Sequence, residues 1–179
     1  MTKKIETAIL GGGCFWCLEA AFNLIDGIVA VESGYSGGSV ASPTYEQVCS
    51  DNTGHAEVVK VYFDSDKIKY KDVLDIFWAI HDPTTINRQG NDVGEQYRSV
   101  IFYTDLNQRT LAEESKREVS RLWPDNVVTE IKPLEKFYKA EDYHQSYYER
   151  NPSQAYCQII INPKLKHLRE KFQARLKTK

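Results

Sequence analysis

The apolar positions of this chain change period several times, and each change predicts an element. Residues 5–10 form a short apolar run of strand length, and Leu18, Ala21, Phe22 and Ile25 then recur at i, i+3, i+4 and i+7, the spacing of a helix with one buried face. Asp26-Gly27 is a turn signal, followed by a β-rich run over 28–33. Gly34-Tyr35-Ser36-Gly37-Gly38 and the segment through Pro43 break regular structure. Over 57–63, alternation places Val59, Val61 and Phe63 on one face and Val58, Lys60 and Tyr62 on the other, a strand with a clear inside. Val73, Leu74, Phe77, Trp78 and Ile80 give a second helix stripe, stopped before Asp82-Pro83 because the residue ahead of a proline disfavours helix. A polar loop from Thr84 to about Gln96 leads into a strand over 99–103.

This order, β-α-β-β-α-β, predicts an α+β fold with the ferredoxin-like split β-α-β core, two helices covering one face of an antiparallel sheet. A charged helix follows over 105–122, with pairs such as Glu113 and Arg117 on a solvated face, ended by Trp123-Pro124. Residues 127–131 read as an edge strand. An aromatic segment carries Phe137, Tyr138, Tyr143, Tyr147 and Tyr148 and closes at Asn151-Pro152. A short apolar run surrounds Cys157, and Leu165, Leu168, Phe172 and Leu176 predict a C-terminal helix over about 164–177, with Lys177-Thr178-Lys179 expected to fray. There is no internal repeat, and the expectation is one domain over 1–179 with its core at about 5–163.

With 179 residues and a formal charge of −2, the chain is long enough for a substantial core and has no basic excess to draw it to nucleic acid or an anionic membrane. Met1-Thr2-Lys3-Lys4-Ile5 has two lysines but no signal-length apolar run behind them, so a soluble, cytoplasmic protein is expected. Four cysteines are too few for a disulfide scaffold, and in a reducing compartment they read as catalytic, metal-binding or buried.

Chemistry concentrates in Gly11-Gly12-Gly13-Cys14-Phe15-Trp16-Cys17. If the first helix begins near Cys14, its thiol lies at the positive end of the helix dipole beside unused N–H groups, which favours thiolate. Cys17 lies one turn on, and Cys-x-x-Cys is read either as dithiol exchange or as half of a zinc site. Zinc needs a second pair, whereas Cys49 and Cys157 are isolated and His55, His81, His144 and His167 have no ligand spacing, so no metal is expected. A thioredoxin-like fold does not set this motif between a triple glycine and the present sheet order. Cys49 is expected to pack against the core.

Gly13-Cys14-Phe15-Trp16, Gly34-Tyr35-Ser36-Gly37-Gly38, Pro43-Thr44-Tyr45, Thr53-Gly54-His55-Ala56-Glu57, His81-Asp82-Pro83, Gln89-Gly90-Asn91-Asp92-Val93-Gly94 and Gln96-Tyr97-Arg98-Ser99 together resemble the A-type peptide methionine sulfoxide reductases. The resemblance extends over about 8–163 and includes Tyr143-His144-Gln145-x-Tyr147 and Asn151-Pro152. It implies reduction of methionine S-sulfoxide, free or in proteins, which needs a nucleophile on sulfur and a proton donor on oxygen. By the family motif, Cys14 is the nucleophile and ends as a sulfenic acid. Glu57 is the acid, a carboxyl kept protonated by poor solvation; without the resemblance it reads as a solvated charge at a strand start. Tyr45 and Tyr97 are the phenols that hold the sulfoxide oxygen, otherwise read as edge tyrosines.

The same resemblance makes Phe15 and Trp16 the walls around the substrate methyl, with Asp92 and Tyr147 as further substrate-binding residues and Gly54 and His55 as structural parts of the Glu57 motif. Cys157 matches the resolving position. Cys17 stands where the family usually has glycine, and the tail is not the usual glycine-rich end. The expectation by analogy is a first disulfide between Cys14 and Cys157, with Cys17 competing or relaying the disulfide to thioredoxin; the reverse order is the rival. No cofactor beyond a dithiol reductant is implied, and a monomer without nucleic-acid or membrane partners is expected. The alternative of another class is a ferredoxin-like binding module whose aromatics hold a peptide or a single nucleic-acid strand, against which net charge speaks in the second case.

Overall fold

The computed structural model describes residues 4–50 and 52–178. Met1-Thr2-Lys3, read above for a signal segment, and the last residue of the tail, Lys179, lie outside the described residues. No helix among the described residues is long and apolar enough to cross a membrane.

Strand β1 (Ile5–Gly11) runs antiparallel to both β3 (Ala56–Asp64) and β6 (Val100–Tyr103), and β2 (Ile28–Ser36) runs antiparallel to β3. With helix α1 (Phe15–Asn23) between β1 and β2 and α3 (Tyr70–Ala79) between β3 and β6, these strands form the split β-α-β core that the hydrophobic pattern predicts. Between them the short α2 (Tyr45–Cys49) was not foreseen. Thr44 starts it with a capping box: its hydroxyl accepts from Gln47 N at 3.2 Å while Gln47 Oε1 accepts from Thr44 N at 2.9 Å.

The sheet is wider than the core pattern implies. Its order is β7-β6-β1-β3-β2-β8, with β4 (Arg88–Gln89) and β5 (Asp92–Val93) forming a separate hairpin inside the long polar loop. β7 (Glu130–Pro133) adds in parallel to β6 at one edge and β8 (Phe137–Lys139) adds antiparallel to β2 at the other. Residues 134–136 alone join those two edges, a reach of at most about 15 Å, whereas six flat strands would separate their edges by about 24 Å. The sheet must therefore curl. Its concave side encloses Ile9, Ala56, Val58, Val100 and Phe102, with Leu134 and Phe137 packed against them. This corrects the reading of a single inside on β3: Val59, Val61 and Phe63 face the helices, and Val58 is equally buried within the curl.

Against the convex side, Leu18 and Phe22 of α1 and Leu74 and Phe77 of α3 build the main core. Helix α4 (Leu106–Ser120), N-capped by Asp105 accepting from Gln108 N at 2.8 Å, packs on α3, where Trp78 Nε1 donates to Ser115 Oγ at 2.7 Å. Its outer ion pairs are Arg109 with Glu113 and Lys71 with Glu118 rather than Glu113 with Arg117.

At the C-terminus a short α5 (Tyr147–Arg150) and a π-helical turn (Cys157–Ile161) precede α6 (Asn162–Lys171), which buries Leu165 and Leu168. The final helix is shorter than expected, because Phe172 leaves helical geometry and a 3₁₀ turn (Gln173–Arg175) follows. The expectation that the tail frays at Lys177 is also corrected: Lys177 N donates to Leu24 O at 2.9 Å and Leu176 bridges Ile25.

Gly34, expected to break structure, lies inside β2. A Cβ there would sit 2.4 Å from the Phe137 ring and 2.5 Å from Tyr138 O, so its missing side chain is what lets β8 close on β2. Gly34→Ala is expected to cost about 1–3 kcal/mol through this overpacking, read as a lowered urea midpoint; an unchanged midpoint would show that β8 does not need the close approach.

Candidate active site

The site starts where β1 gives way to α1. Gly13 takes φ +91°, and a Cβ on it would lie 2.6 Å from Gln89 Cγ, so this position needs glycine both for its backbone angle and for the approach of the β4 strand. Cys14 is the N-cap of α1 with extended backbone angles, and its thiol does not cap the helix. The first turn of α1 instead receives Glu57 from the start of β3. Phe15 N donates to Glu57 Oε2 at 3.0 Å. Glu57 shares the helix-facing parity of Val59 and Val61 but projects at the sheet end, where it is 1 % exposed. Burial pushes its carboxyl up to about 8, outweighing the Phe15 N–H, so it is protonated at neutral pH.

Cys14, Phe15, Trp16, Tyr45, Glu57, Asp92, Tyr97 and Tyr156 line one cavity of about 210 Å³. Tyr45 enters from the first position of α2 and Tyr97 from a 3₁₀ turn (Glu95–Tyr97). Burial raises both phenols well above their ordinary range, so both are O–H donors, with the Cys49 thiol adding to the effect at Tyr45 and the Glu57 charge at Tyr97. The loop ahead of α2 is tied down by His55, whose Nδ1 accepts from Gly38 N at 3.1 Å and whose Nε2 bonds Val40 O at 2.7 Å.

The aromatic wall is supported from behind by the segment after β8. Trp16 Nε1 donates to His144 Nδ1 at 3.1 Å, and its ring stacks on Tyr147 with centroids 3.7 Å apart and planes at 5°. Phe15 packs against the His144 ring at 4.9 Å. Glu141 accepts from Tyr35 Oη at 3.1 Å, from Tyr45 N at 3.2 Å and from Tyr143 Oη at 3.0 Å. Burial opposes its ionisation, but its backbone and phenol donors outweigh that and hold its carboxyl below the usual range. Gln145 completes the support by accepting from Ser33 N at 2.9 Å and donating to Ser33 O and Ala140 O, as a strand residue would.

The two neighbouring thiols form one titrating unit. Burial, with the neighbouring Cys17 thiol adding to it, pushes Cys14 well above its ordinary value, while the Cys14 side chain pulls Cys17 down to about 7. At Cys14 desolvation therefore opposes the thiolate that the helix start favours. Tyr156 Oη lies 3.9 Å from Cys17 Sγ and donates to Asp92 Oδ2 at 2.7 Å. Cys157 is fully buried at the start of the π-helical turn and does not line the cavity; Cys14, Cys17 and Cys157 are unbridged thiols. Cys49 is exposed at the end of α2, against the expectation of core packing, because Val48 takes the buried position.

A family model described as peptide methionine sulfoxide reductase matches residues 6–176. The chain belongs to the A-type peptide methionine sulfoxide reductase family. It is similar, at 54 % identity over 97 % of this chain and 98 % of the relative, to a peptide methionine sulfoxide reductase MsrA of Saccharolobus solfataricus. Among solved structures, Mxr1 from Saccharomyces cerevisiae in reduced form superposes with a TM-score of 0.81 at 36 % identity, covering 86 % of this chain and 90 % of that one. Mxr1 in complex with Trx2 superposes with a TM-score of 0.58 at 26 % identity, covering 82 % and 89 %.

Of the residues singled out from the family resemblance, the cavity gathers Cys14, Glu57, Tyr45, Tyr97, Phe15, Trp16 and Asp92. Tyr147 stands behind Trp16 as its stacking partner rather than on the cavity wall, and Cys17, one helical turn on from Cys14, is not among the residues lining the cavity. Sequence reasoning missed Tyr156 and Glu141. The signal for Tyr156 was its place next to Cys157; Glu141 carried none, since an acid beside Asp142 in a polar stretch reads as solvated.

Two buried carboxyls make stability depend on pH. Glu57 at about 8 and Glu19, raised by burial to about 7, hold protons in the folded state that an unfolded carboxyl gives up near 4.5. Their stabilising protonation is complete below that value and is lost as pH rises through 7 and 8. The urea midpoint is expected to fall between pH 5 and pH 9, and by less in Glu57→Gln; an equal fall in both proteins would contradict the buried acid.

Proposed function

We propose that the protein reduces the S-epimer of methionine sulfoxide by thiol chemistry at Cys14. The observation that carries this reading is the protonated Glu57 sharing a cavity of about 210 Å³ with Cys14. Cys14 gives its proton to the neighbouring Cys17, and the Cys14 thiolate attacks the sulfoxide sulfur. Glu57 gives its proton to the oxygen, which Tyr45 and Tyr97 hold by hydrogen bonds, while Phe15 and Trp16 enclose the methyl group. Methionine departs and Cys14 is left as a sulfenic acid, having taken the oxygen. The reading is supported by family membership and by the chemistry of the cavity walls. Asp92, fixed by Tyr156, orients the substrate backbone. Thioredoxin supplies the electrons for recycling, a step supported by the likeness to Mxr1 in its complex with Trx2.

A second reading concerns the first disulfide. The place of Cys17 one helical turn from Cys14, with Cys17 N donating to Cys14 O at 3.1 Å, favours Cys17, rather than the fully buried Cys157, as the group that attacks the sulfenic acid and expels water. Cys157, wholly buried, then acts later, by exchanging with Cys17 when the π-helical turn opens.

Without reductant, one methionine is expected per Cys14, and none from Cys14→Ser; sulfoxide that binds without yielding methionine would overturn the reading. With reductant, kcat/KM is expected to rise as the thiol pair loses a proton near 7 and to fall as Glu57 ionises near 8. Glu57→Gln should lose the falling limb and about 10²–10⁴-fold in rate. Peptide mapping after one turnover should find Cys14 bridged to Cys17 in Cys157→Ser; a Cys14–Cys157 bridge formed at the wild-type rate in Cys17→Ser would reverse the order.

A further inference from the structure

Beside the active-site cavity lies a larger groove of about 630 Å³. One wall is the β4–β5 hairpin, with Gly90 and Asn91 at its tip, and the other is the segment from Ala155 through Pro163, where Ile159 and Ile160 face the opening. Asp92 and Tyr156 line both spaces, and the 2.7 Å bond between them makes a partition one side chain thick. Between Asp92 at this partition and Lys164, every residue of the groove wall is uncharged. Ile159 is 69 % exposed, an aliphatic side chain held in water on the lip.

In the proposed reaction the methyl sulfoxide group enters the small cavity, and the partition shared with the groove offers the remainder of a polypeptide substrate a way out. Successive Cα atoms are about 3.8 Å apart, so a wall one side chain thick is crossed in one or two residues. We infer that the groove between the β4–β5 hairpin and the Ala155–Pro163 segment binds an aliphatic side chain lying within two positions of methionine sulfoxide in an oxidised polypeptide. The protein thus selects peptide-borne substrate by its neighbours. The inference rests on the proposed reaction at Cys14. With one aspartate and one lysine on its lining and only uncharged residues between them, the groove offers no cluster of positive charge to an anionic ligand, and continuity with the cavity ties the occupant to the substrate. A loop of the reductant protein is the competing occupant.

The test uses blocked peptides with methionine sulfoxide flanked by leucine or serine at each of the two positions before and after it, with dithiothreitol as reductant so that no protein reductant takes part. The wild-type protein should prefer leucine at one or more positions by about tenfold in kcat/KM. Ile159→Glu, which charges the lip, and Ala155→Trp, which fills the groove, should bring the ratio to about one while leaving turnover of N-acetylmethionine sulfoxide methylamide unchanged. Absence of any preference in the wild type, or its persistence in both variants, would overturn the inference. So would variants that keep the peptide preference and instead raise the KM for thioredoxin, which would give the groove to the reductant. A wild-type protein unable to turn over the blocked amino acid would sink the reaction at Cys14 rather than the groove.

Discussion

The contact on which the site depends is the hydrogen bond from the first free N–H of α1 to a carboxyl that water does not reach. A helix start offers N–H groups with no partner in the preceding turn, and here Glu57 takes the one at Phe15. The bond joins two strand ends across the middle of the sheet, β1 through the glycine turn and β3 directly. It also fixes the face of the carboxyl turned to the cavity. Desolvation then decides the protonation state: the N–H favours the anion, burial favours the acid, and burial prevails. The same balance recurs at Cys14, where burial outweighs the helix start. A site built to lose water thus holds both the Glu57 carboxyl and the Cys14 thiol towards their neutral forms.

Much of the architecture was legible because local patterns carried it. Alternation over β3, helical spacing in α1 and α3, and the proline after α3 are all short-range signals, and the β-α-β-β-α-β order of elements followed from them. What was not legible depended on distant pairings. Gly34 reads as a breaker until Phe137 lies against it, and Val58 reads as solvent-facing until the sheet curls around it. The short α2 was missed although Thr44 and Gln47 form a capping box, because five residues are too few for a periodic stripe.

For the site the division was similar. The motifs named the residues, and the structure brings seven of them to one cavity. Their environments could not be read from the sequence. That Glu57 is buried, that Tyr147 stands behind Trp16, and that Cys157 is sealed in the core all follow from tertiary packing. Glu141, His144 and Gln145 show why. Each reaches back more than ninety residues to hold Tyr45, Trp16 or Ser33, and no window of local sequence contains both partners.

The three-residue link between the two sheet edges bears on how the chain matures as it is made. Synthesis proceeds from the N-terminus, and early segments can fold before later ones exist. By the end of β6 the thiol, the acid and the core strands are all present, but both sheet edges are still bare and the concave side is open. The residues that back Trp16 and fasten Tyr45 arrive only after β8 has closed the far edge. A nascent chain therefore carries the Cys14 thiol and the Glu57 carboxyl well before it has a compartment to keep them dry, and the last third of the sequence finishes that enclosure.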